Sequence, residues 1–146
     1  MNNRTKIDQL LIWMEKNLRA ESEFTTKDVS HFFSDEFTIK TNNRIIQATP
    51  ETYKGYLYEL KNTLKHVHYD IEEIFETENK VVASFVIHMY FLNKNPISLS
   101  AISIFTFSET KITIWKEIFT DLESTTFQYD PKGNHDSYSN HRLSNI

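Results

Sequence analysis

With 146 residues, a formal net charge of −4 and no cysteine, the chain is the size of one domain and is without disulfides, thiolate nucleophiles or Cys-based zinc and iron–sulfur sites. Its 16 Lys and Arg form no basic run that would track a phosphate backbone, so nucleic acid is not an expected partner. The first residues show no uninterrupted apolar core or small-residue cleavage site, and no later segment approaches the ~18 apolar residues of a membrane span, so the expectation is a soluble cytoplasmic protein with no membrane partner.

Aromatic residues make up 14% of the chain, 11 of them Phe and 7 Tyr, which suits a core or pocket walled by rings. Ile7, Leu10, Leu11, Met14 and Leu18 recur at helical spacing and predict an amphipathic first helix. Thr25-Thr26-Lys27-Asp28 has the form of a capping box, ahead of a short second helix carrying Val29, Phe32 and Phe33. Phe37 to Thr41 alternates as a strand, Asn42-Asn43 can turn the backbone, and Arg44-Ile45-Ile46 returns beside it. Thr49-Pro50-Glu51 then starts a third helix, with Tyr53, Tyr56, Leu57, Leu60 and Leu64 as its buried stripe.

From Val67 the period changes to two. Four strands are predicted at Val67 to Thr77, Val81 to Leu92, Ile97 to Ser108 and Ile112 to Asp121, with connections short enough to require antiparallel neighbours. Strands of ten residues or more curl in a twisted sheet, and the three helices must fill its concave side. The expected fold is therefore α+β: a conical, curved antiparallel sheet of about five to six strands wrapped on three helices. Residues 1–124 form the single domain, and 125–146 read as a polar, flexible C-terminal tail.

Within the last strand Trp115, Glu117 and Phe119 fall at period two, placing a carboxylate on one side of the sheet between two large rings. Desolvation there raises a carboxyl pKa, which makes Glu117 the candidate acid/base; the plainer reading is an ion pair with Arg44 or a Lys, or a side chain turned to the mouth of the cone. Tyr53 and Tyr56 can donate hydrogen bonds to a ligand carbonyl, or simply pack. His66 and His68 have the H-x-H spacing that aligns two rings on a strand, with Asp70 the obvious addition; no third ligand is near in sequence, and neither a metal nor a cofactor is assigned.

The order helix, helix, strand pair, helix and four-strand meander, over about residues 5–123, resembles the SnoaL-like branch of the nuclear transport factor two-like superfamily. Glu109-Thr110-Lys111-Ile112-Thr113 followed by Trp115-Lys116-Glu117 and Phe119 is similar to the end of the limonene epoxide hydrolases, where a Trp-Arg-Asp-Tyr-Phe-Asp run carries a catalytic carboxylate; Glu117 stands at its position. The other catalytic positions of those enzymes (Tyr, Asn, Arg and Asp) align with Ile39, Thr41, Phe85 and Ile87, and the general-base Asp of ketosteroid isomerases falls near Thr41, so that machinery is absent.

The same alignment sets the face of the second long strand. Phe85, Ile87 and Met89, with Leu99, Phe105, Trp115 and Phe119 and facing Tyr53 and Tyr56, form the expected ligand-binding pocket. The opposite face, with Val82, Val86, His88, Tyr90, Ile102 and Ile104, is too apolar for water, and the resemblance implies a homodimer through it. The resemblance thus implies a small hydrophobic ligand in the cone with acid/base chemistry at Glu117, of isomerase, cyclase or hydrolase type. The alternative is a non-catalytic dimerisation or protein-interaction module with a filled pocket.

Overall fold

The computed structural model describes residues 2–122. The chain runs α1 (Asn3–Asn17), α2 (Thr26–Ser30), β1 (Phe33–Thr41), β2 (Arg44–Ala48), α3 (Pro50–Lys61), β3 (Leu64–Glu76), β4 (Lys80–Phe91), β5 (Ile97–Ser108) and β6 (Lys111–Asp121). Each helix begins where a side chain can take an orphan amide: Asn2 accepts from Thr5 N, and Thr25 and Thr49 close capping boxes with Asp28 and Thr52. The second helix is shorter than its sequence suggests. Phe33 opens β1 instead of continuing α2, because a pair of apolar residues at a junction fits either period and burial in the sheet core decides it.

The six strands form one sheet in the order β2-β1-β6-β5-β4-β3. It is mixed and not wholly antiparallel: β1 pairs parallel with β6, Ile39 opposite Trp115, which ties the N-terminal strand pair onto the end of the meander. Four register shifts bend it. One leaves Ser34–Phe37 out of the β1–β6 pairing, where Ser34 Oγ donates to the Glu36 and Ile112 carbonyls; two insert Lys65 and Glu72 in β3; one inserts Thr113 in β6. The Thr113 insertion is what lets Ile112 and Trp115, three residues apart, both face the core.

Just past the end of β1, Asn42 continues the ladder with its side chain: its Nδ2 donates to Phe119 O at 2.8 Å and its Oδ1 accepts from Phe119 N at 3.0 Å. Asn42→Ala is expected to cost about 1 kcal/mol, since both bonds lie at an exposed rim. The local readout is faster amide exchange at Phe119.

On the concave side α1 packs against β3 and β4, and α3 against β1, β2 and β3. The main core contains Ile7, Leu10, Leu11 and Met14 of α1, Phe33, Leu57, Val81, Phe105 and Ile112, all essentially inaccessible to water. A second, smaller cluster of Ala83, Phe85, Ile87 and Ala101 lies further along the sheet, bordered by half-buried Tyr69, Met89, Leu99 and Phe119. Among the described residues no helix is long and apolar enough to cross a membrane. The expected tail, 125–146, lies outside the described residues.

Candidate functional site

Cross-strand register arranges the concave face in rows. Val81, Phe105 and Trp115 form one row, with Ile39 beyond Trp115; Ala83, Ser103 and Glu117 form the next; Phe85, Ala101 and Phe119 the third; Ile87, Leu99 and Asp121 the last. The first row belongs to the packed core and the third to the smaller cluster, so the polar pair Ser103–Glu117 occupies the seam between them.

Glu117 has no ion pair with any described residue. Ser103, fully buried, donates its hydroxyl to Glu117 Oε2 at 2.7 Å and accepts the Trp115 indole N–H at 3.1 Å. Among the described residues no Lys or Arg lies within salt-bridge distance of Glu117; besides the Ser103 hydroxyl, the Trp115 indole N–H, bonded to Ser103, is the donor near enough to favour its charged form. The expected pairing with Arg44 is therefore replaced by a neutral hydroxyl. Arg44 is exposed in the edge strand β2.

The carboxyl sits deep although part of the side chain still reaches solvent. Burial pushes its pKa up from the usual 4.5, against smaller opposing effects from the Ser103 hydroxyl and the Trp115 N–H, both of which favour the charged form. Two phenols share its field. Tyr53, stacked at 6.1 Å on Tyr56, and Tyr69, edge-on to Phe85 at 5.6 Å, are both pushed well above the ordinary tyrosine value, first by burial and then by neighbours that include Glu117. Neither hydroxyl is hydrogen-bonded to a described residue, and neither is sealed from solvent. Both stay neutral donors across the physiological range.

Phe85, Ile87, Phe105, Trp115 and Phe119 all face this concave side as expected, and Met89 flanks them at the β3 edge. Phe105 and Trp115 are buried in the main core, rings 5.0 Å apart, so they form the floor more than the wall. Tyr56 is half exposed, at the rim. Tyr69 and Ser103 were missed by sequence reasoning. Tyr69 shares parity with Val67 and Ile71 on β3, a signal that was available; the Ser103 partnership depends on register alone.

On the convex face, Val82, Val86, His88, Tyr90, Ile102 and Ile104 lie together, joined by Ile118, which pairs with Ile102, and Phe75, which pairs with Val82. Ile102, Ile118 and Phe75 are more than half exposed. The H-x-H pair of β3 is also here. His66 stacks on Tyr90, while His68 and His88 hold the two oxygens of Asp70 at 3.0 and 2.9 Å, and His68 also meets Glu15 at 3.1 Å. These bonds, the His88 bond first, lower the Asp70 pKa. Among the described residues no group of three or more His, Asp or Glu is placed to hold a metal ion.

No protein-family model matches the sequence, and no curated protein does. Solved structures do match. An LEH-like epoxide hydrolase of M. tuberculosis superposes with a TM-score of 0.66 at 11% identity, over 80% of this chain and 81% of the other. An NTF2-like protein of Anabaena variabilis gives 0.65 at 17% identity, over 80% and 88%. A protein of ketosteroid isomerase-like fold from Catenulispora acidiphila, crystallised with trimethylamine, gives 0.63 at 11% identity, over 80% and 85%. With the bent six-stranded sheet, the three helices in its concavity and these superpositions together, the chain has the nuclear transport factor two-like fold.

Proposed function

We propose that the concave face binds a small hydrophobic ligand and that Glu117 exchanges a proton with it. The observation that carries this reading is a desolvated carboxylate held by one buried hydroxyl, at the seam where the packed core gives way to half-buried apolar residues. A carboxyl with a raised pKa is the group that can both give and take a proton near neutrality. Tyr53 and Tyr69, with unpaired hydroxyls on the same side, are the donors for a ligand oxygen or nitrogen. The neighbours of this fold include an epoxide hydrolase-like protein and one crystallised with an amine, so the scaffold accommodates small molecules. The substitutions at Ile39, Thr41, Phe85 and Ile87 argue that any reaction here differs from epoxide hydrolysis of the known type.

Nile red, a neutral dye whose emission rises in apolar surroundings, tests the site. It should bind one per chain, and Leu99→Arg on the concave face should weaken binding at least tenfold, while Ile102→Arg on the convex face leaves it unchanged. No binding, or binding lost only with Ile102→Arg, would favour the alternative of a filled cone in a non-catalytic interaction module.

We also propose a homodimer through the convex face, because Ile102 and Ile118 pair in mid-sheet as exposed apolar side chains, with exposed Phe75 on the edge strand β3, and nothing of the described chain lies over them. In sedimentation equilibrium the unmodified protein should have twice the chain mass of 17.3 kDa, and Ile102→Arg should return it to the monomer mass. A monomer at the outset would contradict the assignment.

A further inference from the structure

We infer that the molecule held on the concave face is an apolar amine bound as its ammonium ion, with Glu117 as its counter-charge and the surrounding rings as its cage. This rests on the reading of that face as a ligand site and names the ligand's chemistry.

A carboxylate taken out of water needs a compensating charge or several strong donors, and is costly to the fold without them. Among the described residues Glu117 has neither. Ser103 supplies one hydroxyl bond, with the Trp115 indole N–H close behind it, and the described ion pairs lie elsewhere, at Arg19–Glu21, His68–Glu15 and the convex His68–Asp70–His88 cluster. The positive charge that would complete the site must therefore come from outside the described chain.

The surroundings select the kind of cation. Trp115 and Phe119 flank Glu117 two residues away on either side, and Tyr53 and Tyr69 are close enough to feel its charge. Aromatic faces attract ammonium ions through the ring quadrupole, most strongly when water is excluded. The alkyl remainder of such a ligand would meet the half-buried Leu99 and the Phe85–Ala101 row. A hydrated metal ion finds too few oxygens here, since Ser103 Oγ and the Glu117 carboxylate are the polar groups of that row. An anionic ligand would be repelled by Glu117 and gain no basic partner. A neutral apolar ligand would fill the space and leave the charge uncompensated. An organic ammonium ion satisfies both the carboxylate and the rings.

The test compares two probes of equal shape, benzyltrimethylammonium and its uncharged carbon isostere neopentylbenzene, as competitors of Nile red. The ammonium ion should displace the dye at a concentration at least tenfold lower than the isostere, and Glu117→Gln should abolish that preference while the isostere competes as before. Equal competition by the two probes overturns the inference, as does a preference that survives in Glu117→Gln. If the dye binds and neither probe displaces it, the amine assignment fails and the ligand-site reading stands. If the dye itself does not bind, both fall.

Discussion

Glu117→Gln is expected to make the protein more stable at neutral pH while removing any proton transfer at the site. The amide keeps an oxygen for the Ser103 hydroxyl and carries no charge to desolvate. The sign follows from linkage. Burial raises the Glu117 pKa in the folded state above the usual 4.5, so between those two values the folded protein holds a proton that the unfolded chain has released. Stability therefore falls as pH rises through that window and stays reduced above it, by about 1.4 kcal/mol for each tenfold difference between the folded and unfolded acid constants. Paired urea titrations check this: the variant should unfold at higher urea than the unmodified protein at pH 7, and the gap should close as the pH approaches 4.5. Identical midpoints at both pH values would mean that the carboxylate is not desolvated. For any substrate whose turnover depends on Glu117 as acid or base, the loss should be roughly 10²- to 10⁴-fold, with binding of a neutral ligand retained.

Phe105→Ala should be the most damaging single change to the fold. Phe105 has no exposed surface; it lies between Val81 and Trp115 in the sheet, with its ring tilted 5.0 Å from the indole. Removing a ring of that burial costs about 3–5 kcal/mol, from the lost transfer energy and the hole left behind. Against a total stability of roughly 5–15 kcal/mol for a domain of this kind, that is a fifth of the whole or more. Because Trp115 reaches Ser103 through its indole N–H, the hole would also loosen the support of Glu117. Ile102→Ala, on the exposed convex face, should change monomer stability by no more than about 0.5 kcal/mol. A loss below 1 kcal/mol for Phe105→Ala would contradict the assignment of this row to the core.

The elements themselves were legible because they rest on local rules. The Ile7-Leu10-Leu11-Met14-Leu18 stripe, the Thr25 and Thr49 caps and the period-two strands each appear in the structure within a few residues of their expected place. Departures occur where two local rules agree with different answers. Phe33 fits a helix face and a strand equally, and Leu64, read as the end of the third helix, is the first residue of β3.

The parallel β1–β6 pairing and the four register shifts are non-local, so nothing in a strand's own alternation announces them. The site divides in the same way. That Trp115, Glu117 and Phe119 share a face follows from parity, and the sheet keeps it. That Ser103, and not a cation, meets Glu117 depends on which residue of β5 the Thr113 insertion brings opposite. Asp70 illustrates the same point on the other face. By spacing it is an addition to the H-x-H pair, whereas its second partner in the fold is His88, eighteen residues away across the ladder. Ile118 and Phe75, by contrast, could have been added to the convex patch from strand parity and position.

The measurement that tests the site most directly is a carbon-13 NMR titration of the Glu117 side-chain carboxyl, assigned by its loss in Glu117→Gln. A midpoint clearly above the usual 4.5 is expected, because one serine hydroxyl and one indole N–H do not offset burial among aromatic rings. A midpoint at or below 4.5 would contradict the account, since it would mean that Glu117 is well solvated or paired with a positive charge of the chain itself.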